Sequence, residues 1–310
     1  MVKLQLQKLP GVLLPVTTPF SPDGVVDLDS LGANLDRWHQ TPVCGFVLLG
    51  STGERVHLDE TEYLRVIEAA SERVAADRAF IVGAGQQSTI GTINEIAKAA
   101  AAGADAVLVI TPNYYRSAIT QDALVRFYET VADAAEAPVL LYSMPALTGI
   151  KIEPNTVAHL SEHPNIIGVK DSSNDIVGFR QTVDLCPAEF AVMTGNGTVF
   201  LDALEAGATS AILAVGCVAP ELCVEIFRLF RAGELEHARR LQEKLTPLAA
   251  AVTTRFGIGG LKAALDLIGY HGGAVRAPLQ APNESARTEI AALLEDTRKI
   301  LRQRRKDAKV

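Results

Sequence analysis

Eight short apolar runs restrict the possible folds of this chain more than any other feature. Each run is nearly uninterrupted instead of alternating with polar residues, which is typical of parallel strands covered on both faces. The runs span residues 12–16, 46–49, 80–82, 106–110, 139–142, 166–169, 190–193 and 211–215. They predict eight parallel β-strands.

Amphipathic helical segments fill the gaps between these runs, for example at residues 58–74, 90–102 and 121–136. Strand alternating with helix predicts βαβ units, and eight such units predict an α/β fold, a (β/α)8 TIM barrel, over residues 1–220. Beyond it only helical patterns remain, at residues 221–231, 234–251, 260–269 and 284–305. No low-complexity linker separates the two parts, so we expect residues 221–310 to form a C-terminal helical region packed on the barrel.

The charge balance argues against a nucleic-acid partner. The 310 residues carry a net charge of −7 at pH 7, whereas nucleic-acid binding calls for a basic surface. One basic cluster, at residues 298–309, is interpreted as the solvated end of the last helix. No apolar run reaches the ~18 residues of a membrane span, and the N-terminus lacks the apolar core of a signal peptide, so no membrane partner is expected.

The four cysteines show neither a CxxC pair nor a regular spacing. We interpret them as buried free thiols in a reducing compartment, which predicts a cytoplasmic protein. They are Cys44, Cys186, Cys217 and Cys223.

A lysine, Lys170, directly follows the apolar run at residues 166–169. Burial at the end of a strand disfavours the charged ammonium, and a neutral amine can attack a carbonyl to form a Schiff base. The alternative is a lysine whose charged end reaches out to solvent. Since the active site of a (β/α)8 barrel lies at the C-terminal ends of the strands, the other residues there decide between the two.

Further polar residues fall at these predicted strand ends. Tyr142 closes the fifth strand beside the sixth, and a phenol next to a Schiff-base lysine can transfer protons. Gly168 shares the inward face with Lys170 and would leave room beside it. Ser51 and Thr52, flanked by glycines after the second strand, offer hydroxyls and backbone N–H groups to a small carboxylate. Together these residues predict an active site.

Three other patterns have simpler interpretations. His159 and His163 have the i, i+4 spacing of a helical metal pair, but no third ligand is apparent, so no metal is expected. Residues 83–88 half match a dinucleotide-binding fingerprint; the third glycine is missing, and we interpret the segment as a tight barrel loop. Asp171 could act as a base beside Lys170, point away by alternation, or cap the helix that follows.

These residues also give the chain a family resemblance over nearly its whole length. It resembles the dihydrodipicolinate synthase and N-acetylneuraminate lyase superfamily of class I, Schiff-base-forming aldolases. Any one of the matching segments is weak evidence, but the set is specific because order and spacing agree with the family. The segments are residues 15–20 (PVTTPF), 50–54 (GSTGE), 142–145 (YSMP) and 168–172 (GVKDS).

The resemblance implies a homotetramer, a dimer of dimers, that needs no metal or organic cofactor. It implies that Lys170 forms a Schiff base with a 2-oxo acid, usually pyruvate, while Tyr142 moves protons and Tyr114 reaches into the neighbouring subunit's site. The implied catalytic residues are Lys170, Tyr142, Thr52 and Tyr114, and the implied substrate-binding residues are Ser51, Thr52, Gly53, Ser143, Leu147, Gly195 and Ile212.

One departure from the family bears on the substrate. Dihydrodipicolinate synthases carry an arginine five residues after the catalytic tyrosine, which binds the carboxylate of aspartate semialdehyde, and this chain has Leu147 there. The stretches that instead resemble 4-hydroxy-2-oxoglutarate aldolases are residues 111–116, 141–145, 254–258 and 278–280. We therefore expect a lyase that cleaves or forms a carbon–carbon bond in a small 4-hydroxy-2-oxo acid, releasing or using pyruvate. The alternatives are a 2-keto-3-deoxy sugar-acid aldolase or dehydratase, a dihydrodipicolinate synthase, and a barrel that only binds a 2-oxo acid.

Overall fold

Eight parallel strands form a closed barrel in the computed structural model, which describes the backbone of residues 8–307 and the side chains of residues 8–300. Each strand pairs with the next along the chain, and the last pairs with the first. The (β/α)8 prediction is thereby confirmed. The strands are β1 (Gly11–Pro15), β2 (Gly45–Leu48), β3 (Ala79–Ala84), β4 (Ala106–Ile110), β5 (Val139–Ser143), β6 (Ile166–Asp171), β7 (Ala191–Thr194) and β8 (Ser210–Ile212).

Every predicted run overlaps a strand, and most strand bounds differ from the run by one or two residues. Two of the differences affect the interpretation. β6 continues to Asp171, so Lys170 lies inside the strand and pairs in register with Tyr142 of β5. β8 is shorter than the run at residues 211–215, because the chain turns into a 3-10 helix at Ala214–Cys217. Because Lys170 lies within β6, the alternation of side chains along the strand determines which way this lysine points.

Helices cover the outside of the barrel, and several begin at a side-chain cap. Asp27 accepts the backbone N–H of Ser30, and Asp59 forms a capping box with Glu62. These caps mark the points where the loops after β1 and β2 end and the first two helices begin. The helices that follow β1 to β7 are α1 (Leu28–Trp38), α2 (Glu60–Ser71), α3 (Thr89–Ala101), α4 (Gln121–Ala134), α5 (Pro145–Thr148), α6 (Pro154–Leu160), α7 (Ile176–Leu185) and α8 (Phe200–Glu205).

Successive side chains of a strand point alternately to the barrel interior and to the surrounding helices. One apolar cluster fills the interior, and a larger one fills the space between strands and helices. Tyr142 belongs to the interior cluster, and Gly168 faces the same way, since a Cβ atom there would touch Leu140 of that cluster. Lys170, two residues further along β6, therefore also faces the barrel interior.

The helix after β8, α9 (Pro220–Arg231), packs on β1 and α8, which is the position of an eighth barrel helix. These contacts join the helix closely to the barrel, and the domain boundary at residue 220 stays a prediction. The next helix, α10 (Leu235–Ala250), packs on α8 and α9, so the C-terminal helical region lies against the barrel. It continues through α11 (Gly257–Leu267) and α12 (Glu284–Asp307).

Among residues 8–307, no helix is both long and apolar enough to cross a membrane. The four cysteines are free thiols, as expected, but only Cys217 and Cys223 are buried. The expectation of burial is wrong for Cys44 and Cys186, which follow a loop and a helix end and remain partly exposed. The first residues of the basic cluster, starting at Arg298, are exposed on α12, while residues 1–7 and 308–310 lie outside the described residues.

Candidate active site

Lys170 and Tyr142 meet at the C-terminal ends of two neighbouring strands. Only 6% of Lys170 and 4% of Tyr142 is exposed. The two residues are register partners, and Nζ of Lys170 lies 4.3 Å from the centre of the Tyr142 ring. A lysine that reached for solvent would be exposed, so the solvent-reaching alternative is excluded. The amine is held inside the barrel beside a phenol.

The surroundings of Tyr142 change its acidity. Burial on its own raises the pKa of Tyr142, but the nearby charge of Lys170 and hydrogen bonds from Ser51, Ser172 and Lys170 outweigh burial and lower that pKa below the value of a free phenol. A phenol with a lowered pKa loses its proton more readily. Tyr142 is therefore suited to move protons beside the amine.

Gly195, after β7, lets Lys170 occupy its position. A Cβ atom at residue 195 would lie 2.5 Å from Cε of Lys170 and closer still to the hydroxyl of Ser172. No larger residue fits there without moving the lysine. Gly168 has a different role from the one expected: a Cβ there would lie 2.5 Å from the carbonyl oxygen of Ala191, so this glycine permits close strand packing and does not open space beside the lysine.

The Ser51–Gly53 turn, a 3-10 helix after β2, lies between two residues in the left-handed backbone region. They are Leu49 (φ 55°) and Glu54 (φ 54°), and no other non-glycine residue of the described chain has a positive φ. Such a backbone costs about 1–2 kcal/mol per residue. Thr18 helps to hold the turn by donating its hydroxyl to the carbonyl of Gly53, at 2.7 Å. Strain of this kind is concentrated at functional sites.

Within this turn, Ser51 supplies the hydroxyl that meets Tyr142. The Oγ atom of Ser51 lies 3.5 Å from the phenol oxygen, at the outer limit of a hydrogen bond. Thr52 lies next to it and is 9% exposed. Ser51 and not Thr52 therefore contacts the phenol, while the catalytic role of Thr52 and its contact with a substrate carboxylate stay predictions.

Two further residues expected to bind substrate lie deep in the fold. The Oγ atom of Ser143 accepts the backbone N–H of Ile152 at 3.2 Å, so this hydroxyl holds the loop after β5. Ile212 is fully buried in the cluster that fills the barrel interior. Both residues support the site by buried packing and hydrogen bonding. A direct contact with substrate stays a prediction for each.

Leu147 and Tyr114 lie on the exposed surface of loops that follow β5 and β4. Leu147, on α5, is 59% exposed, and Tyr114 is 77% exposed. The Tyr114 ring packs edge-on against Tyr115 at 5.0 Å, and its backbone N–H donates to the side chain of Gln87. An exposed aromatic residue at this position is consistent with a role in another subunit, which stays a prediction.

Ser172 is a candidate site residue that the sequence reasoning did not single out. Its hydroxyl is buried beside the position where a Cβ of Gly195 would fall, next to the lysine, and it is one of the groups that lower the pKa of Tyr142. A buried hydroxyl of this kind is available to bind a ligand. The signal was present in the sequence, since Ser172 lies two residues after Lys170, and alternation continued one residue past the end of β6 puts it on the same side as the lysine.

Asp171 is not directed at the reacting centre. Alternation turns it away from Lys170, and its Oδ1 atom accepts the backbone N–H of Ser173 at 2.6 Å. Burial raises the pKa of Asp171. The cap of the following helix is Asp175, whose carboxylate accepts the N–H of Gly178, so Asp171 stabilises the loop and not the helix end.

The histidine pair and the glycine-rich segment both have structural roles. His159 and His163 each contact a carboxylate of α4, Glu129 at 3.0 Å and Asp133 at 3.1 Å, and so join α6 to α4. In the described part of the chain, no group of three or more His, Cys, Asp or Glu residues is arranged to hold a metal. Gly83 lies inside β3, so close to the carbonyl of Leu49 that no side chain fits, and only residues 85–88 of this segment form the loop that was expected.

Comparison with known proteins identifies the family to which this chain is similar. The model of the dihydrodipicolinate synthetase family matches residues 8–297. A 4-hydroxy-tetrahydrodipicolinate synthase from Methanothrix thermoacetophila is 32% identical, over 92% of this chain and 97% of the relative. A DapA-like lyase from Halobacterium salinarum is 35% identical, over 93% of this chain and 94% of the relative.

Solved structures agree with this assignment over almost the entire chain. A monomeric variant of dihydrodipicolinate synthase superimposes with a TM-score of 0.90 at 30% identity, covering 94% of this chain and 98% of the other. A prophage protein of E. coli K12, solved in complex with pyruvate, gives 0.86 at 29% identity, with 93% and 98% covered. The chain therefore belongs to the dihydrodipicolinate synthetase family and is a carbon–carbon lyase of the aldolase type.

Proposed function

We propose that this chain is a class I aldolase that cleaves or forms the carbon–carbon bond of a 4-hydroxy-2-oxo acid, with pyruvate as one product or substrate. The observation that carries the proposal is the buried amine of Lys170, 4.3 Å from the ring of a tyrosine whose pKa is lowered. The pyruvate complex of the E. coli K12 relative supports the same class of ligand.

The amine of Lys170 adds to the C2 carbonyl of the substrate, and loss of water gives a protonated imine. Tyr142, as phenolate, takes the proton of the C4 hydroxyl. The C3–C4 bond then breaks, and its electrons flow into the imine to give an enamine and a free aldehyde. Tyr142 returns the proton to C3, and water hydrolyses the imine, releasing pyruvate and restoring the amine.

The substrate carboxylate next to C2 is assigned to the Ser51–Gly53 turn. That turn offers the hydroxyls of Ser51 and Thr52 together with backbone N–H groups, all near Tyr142. A carboxylate held there places C2 near Lys170, since Tyr142 contacts both Ser51 and the lysine. The same arrangement binds product pyruvate, which shares this end of the substrate.

The far end of the substrate meets residues that follow β4 and β5. Leu147 provides no cation for a second carboxylate, and a buried unpaired carboxylate is unfavourable. Arg116 follows Tyr114 and Tyr115, and its Nη1 atom lies 3.1 Å from the position of a Cβ on Gly149, two residues beyond Leu147. A guanidinium here can bind the distal carboxylate of 4-hydroxy-2-oxoglutarate in a bidentate manner.

Comparison of kcat/KM for three substrate types tests the proposal. They are 4-hydroxy-2-oxoglutarate, a 2-keto-3-deoxy sugar acid, and pyruvate with aspartate semialdehyde. We expect the first to be cleaved fastest, with pyruvate release as the measurement and Lys170→Met as the inactive control. Faster turnover of the sugar acid would establish the sugar-acid alternative, and efficient condensation with aspartate semialdehyde would establish a dihydrodipicolinate synthase. Absence of turnover with all three would favour a barrel that only binds 2-oxo acids.

A further inference from the structure

We propose that Lys262, on α11 of the C-terminal region, is a positioning residue that acts through Glu54 on the Ser51–Gly53 turn and thereby sets how tightly the substrate carboxylate binds. The inference rests on the proposed function, which assigns this turn to the carboxylate. It links a helix outside the barrel to the strained turn at the barrel mouth.

Glu54 is the residue through which the turn is held. It follows Gly53 directly, has a left-handed backbone (φ 54°, ψ 35°), and its side chain is 1% exposed. Both oxygens of its carboxylate are engaged: Oε1 lies 2.5 Å from Nζ of Lys262, and Oε2 contacts Nδ1 of His57 and the backbone N–H of Arg276, each at 3.1 Å. A change in the position of this carboxylate therefore changes the backbone that ends the turn.

Lys262 is fixed on all sides. Its side chain is 2% exposed, and its Nζ atom donates to the carbonyl of Ala274 at 2.6 Å and lies 4.4 Å from the centre of the Phe20 ring. A backbone bridge also joins Ala274 to Phe20, in the loop after β1. With its position set by these contacts, Lys262 in turn determines where the carboxylate of Glu54 can lie.

Arg276 also packs on Phe20 and adds further contacts to the same loops. Its guanidinium lies 4.5 Å from that ring, donates to the carbonyls of Gly24 and His57, and pairs with Glu62 of α2. The stretch from α11 to Arg276 thus contacts the loops that follow β1 and β2 and holds them in place. Both loops contribute to the turn, because Thr18 donates to Gly53.

The placement of the charges indicates a role beyond stability. Removing two charges from water is unfavourable, and a buried ion pair often adds no stability over apolar residues of similar size. Here one member of the pair, Glu54, is itself one of the two non-glycine residues of the described chain that have a left-handed backbone, and it immediately follows the turn assigned to the carboxylate. A charge pair so placed holds a strained turn in one geometry.

The test compares wild type with Lys262→Met and with the double variant Lys262→Met/Glu54→Gln, using Lys244→Met, an exposed lysine of α10, as control. Borohydride trapping of pyruvate on Lys170 gives the pyruvate concentration for half-maximal labelling, and a thermal scan gives Tm. In both Lys262 variants we expect this concentration, and KM, to rise about tenfold, as for a lost hydrogen bond to a charged group. Tm should fall in the single variant and recover in the double variant, where no buried charge is left unpaired.

The double variant decides between positioning and a purely structural role. If it recovers both Tm and wild-type labelling, or if it does not fold, the pair is structural and the inference is wrong. Lys244→Met should match wild type in both measurements. If pyruvate labels Lys170 in none of the proteins, including wild type, the proposed function itself fails, and the inference fails with it. If instead every variant is labelled as wild type is, only the inference about Lys262 fails.

Discussion

The hydroxyl oxygens of Ser51 and Tyr142 lie 3.5 Å apart, although 91 residues separate the two in sequence. Ser51 belongs to the turn after β2 and Tyr142 to the end of β5, so the contact spans the mouth of the barrel. It joins the group that is proposed to bind the substrate carboxylate to the group that is proposed to transfer protons. A substrate bound by the first is thereby placed next to the second.

Borohydride treatment in the presence of pyruvate should label Lys170 and inactivate the enzyme irreversibly, because it reduces the imine to a stable amine. Peptide mass spectrometry locates the label. Lys170→Met should abolish labelling and turnover, whereas the control Lys244→Met should keep both. An adduct on a different lysine, or an active Lys170→Met enzyme, is incompatible with the proposed mechanism.

Tyr142→Phe should lower kcat by ~10²–10⁴, the usual contribution of general acid–base catalysis. The substitution removes one hydroxyl from a ring packed in the barrel interior, so we expect Tm to change little. Imine trapping on Lys170 should persist at a lower rate, since the amine is still buried in the same place. Wild-type turnover in Tyr142→Phe would reduce the phenol to a structural role.

Ser51→Ala should shift the pH dependence of kcat to higher pH. Tyr142 has a lowered pKa, so its phenolate, and with it activity, is gained as pH rises at values below the usual phenol range. The hydrogen bond from Ser51 is one of the causes, and its loss raises the pKa of Tyr142 again. Thr52→Val should weaken pyruvate binding without this alkaline shift; a shift in Thr52→Val and none in Ser51→Ala would reverse the two assignments.

Gly195→Ala should abolish imine formation while the barrel still folds. The added methyl group would lie 2.5 Å from Cε of Lys170, so the lysine must leave its position beside Tyr142. Gly103→Ala is the matched control: its left-handed backbone makes the change unfavourable by about 1 kcal/mol, but nothing lies within 4 Å of the new Cβ. Pyruvate labelling should be lost in the first variant and kept in the second.

Our prediction of the quaternary structure is based on Tyr114, whose side chain is 77% exposed in the single chain. We predict a homotetramer in which this residue completes a neighbouring site, so Tyr114→Phe should lower kcat while labelling of Lys170 persists. Light scattering gives the assembly state. A fully active monomer would contradict the prediction, and a relative described as a monomeric variant makes this measurement necessary.

The sequence was sufficient for the barrel and for the lysine–tyrosine pair because both depend on short-range rules. Uninterrupted apolar runs indicate parallel strands, and strand ends in a barrel gather on one side. Neighbouring strands lie close together, so Tyr142 and Lys170 at the ends of β5 and β6 had to meet. Gly168, in contrast, was misinterpreted, since whether a glycine opens space or permits close packing depends on the neighbouring strand.

The sequence could not show which of Ser51 and Thr52 contacts Tyr142, because this depends on the path of the backbone. The turn ends in left-handed residues, Leu49 and Glu54, at positions where composition predicts no such geometry. The position of Lys262 depends on tertiary packing too, since helical periodicity identifies its helix but not its partner. Ser172 could have been predicted in principle, because it lies two residues after Lys170, and alternation continued one residue past β6 puts it on the same side as the lysine.

Closure of the barrel depends on β1 pairing with β8, where Gly11 lies opposite Ser210. During synthesis the first strand therefore keeps one edge unpaired until β8, the last strand of the barrel, has been made. Open strand edges pair readily with other chains, so the nascent protein is most prone to aggregate in this interval. Truncated chains that stop before Ser210 should aggregate, because they lack β8 and the second edge of β1 stays unpaired.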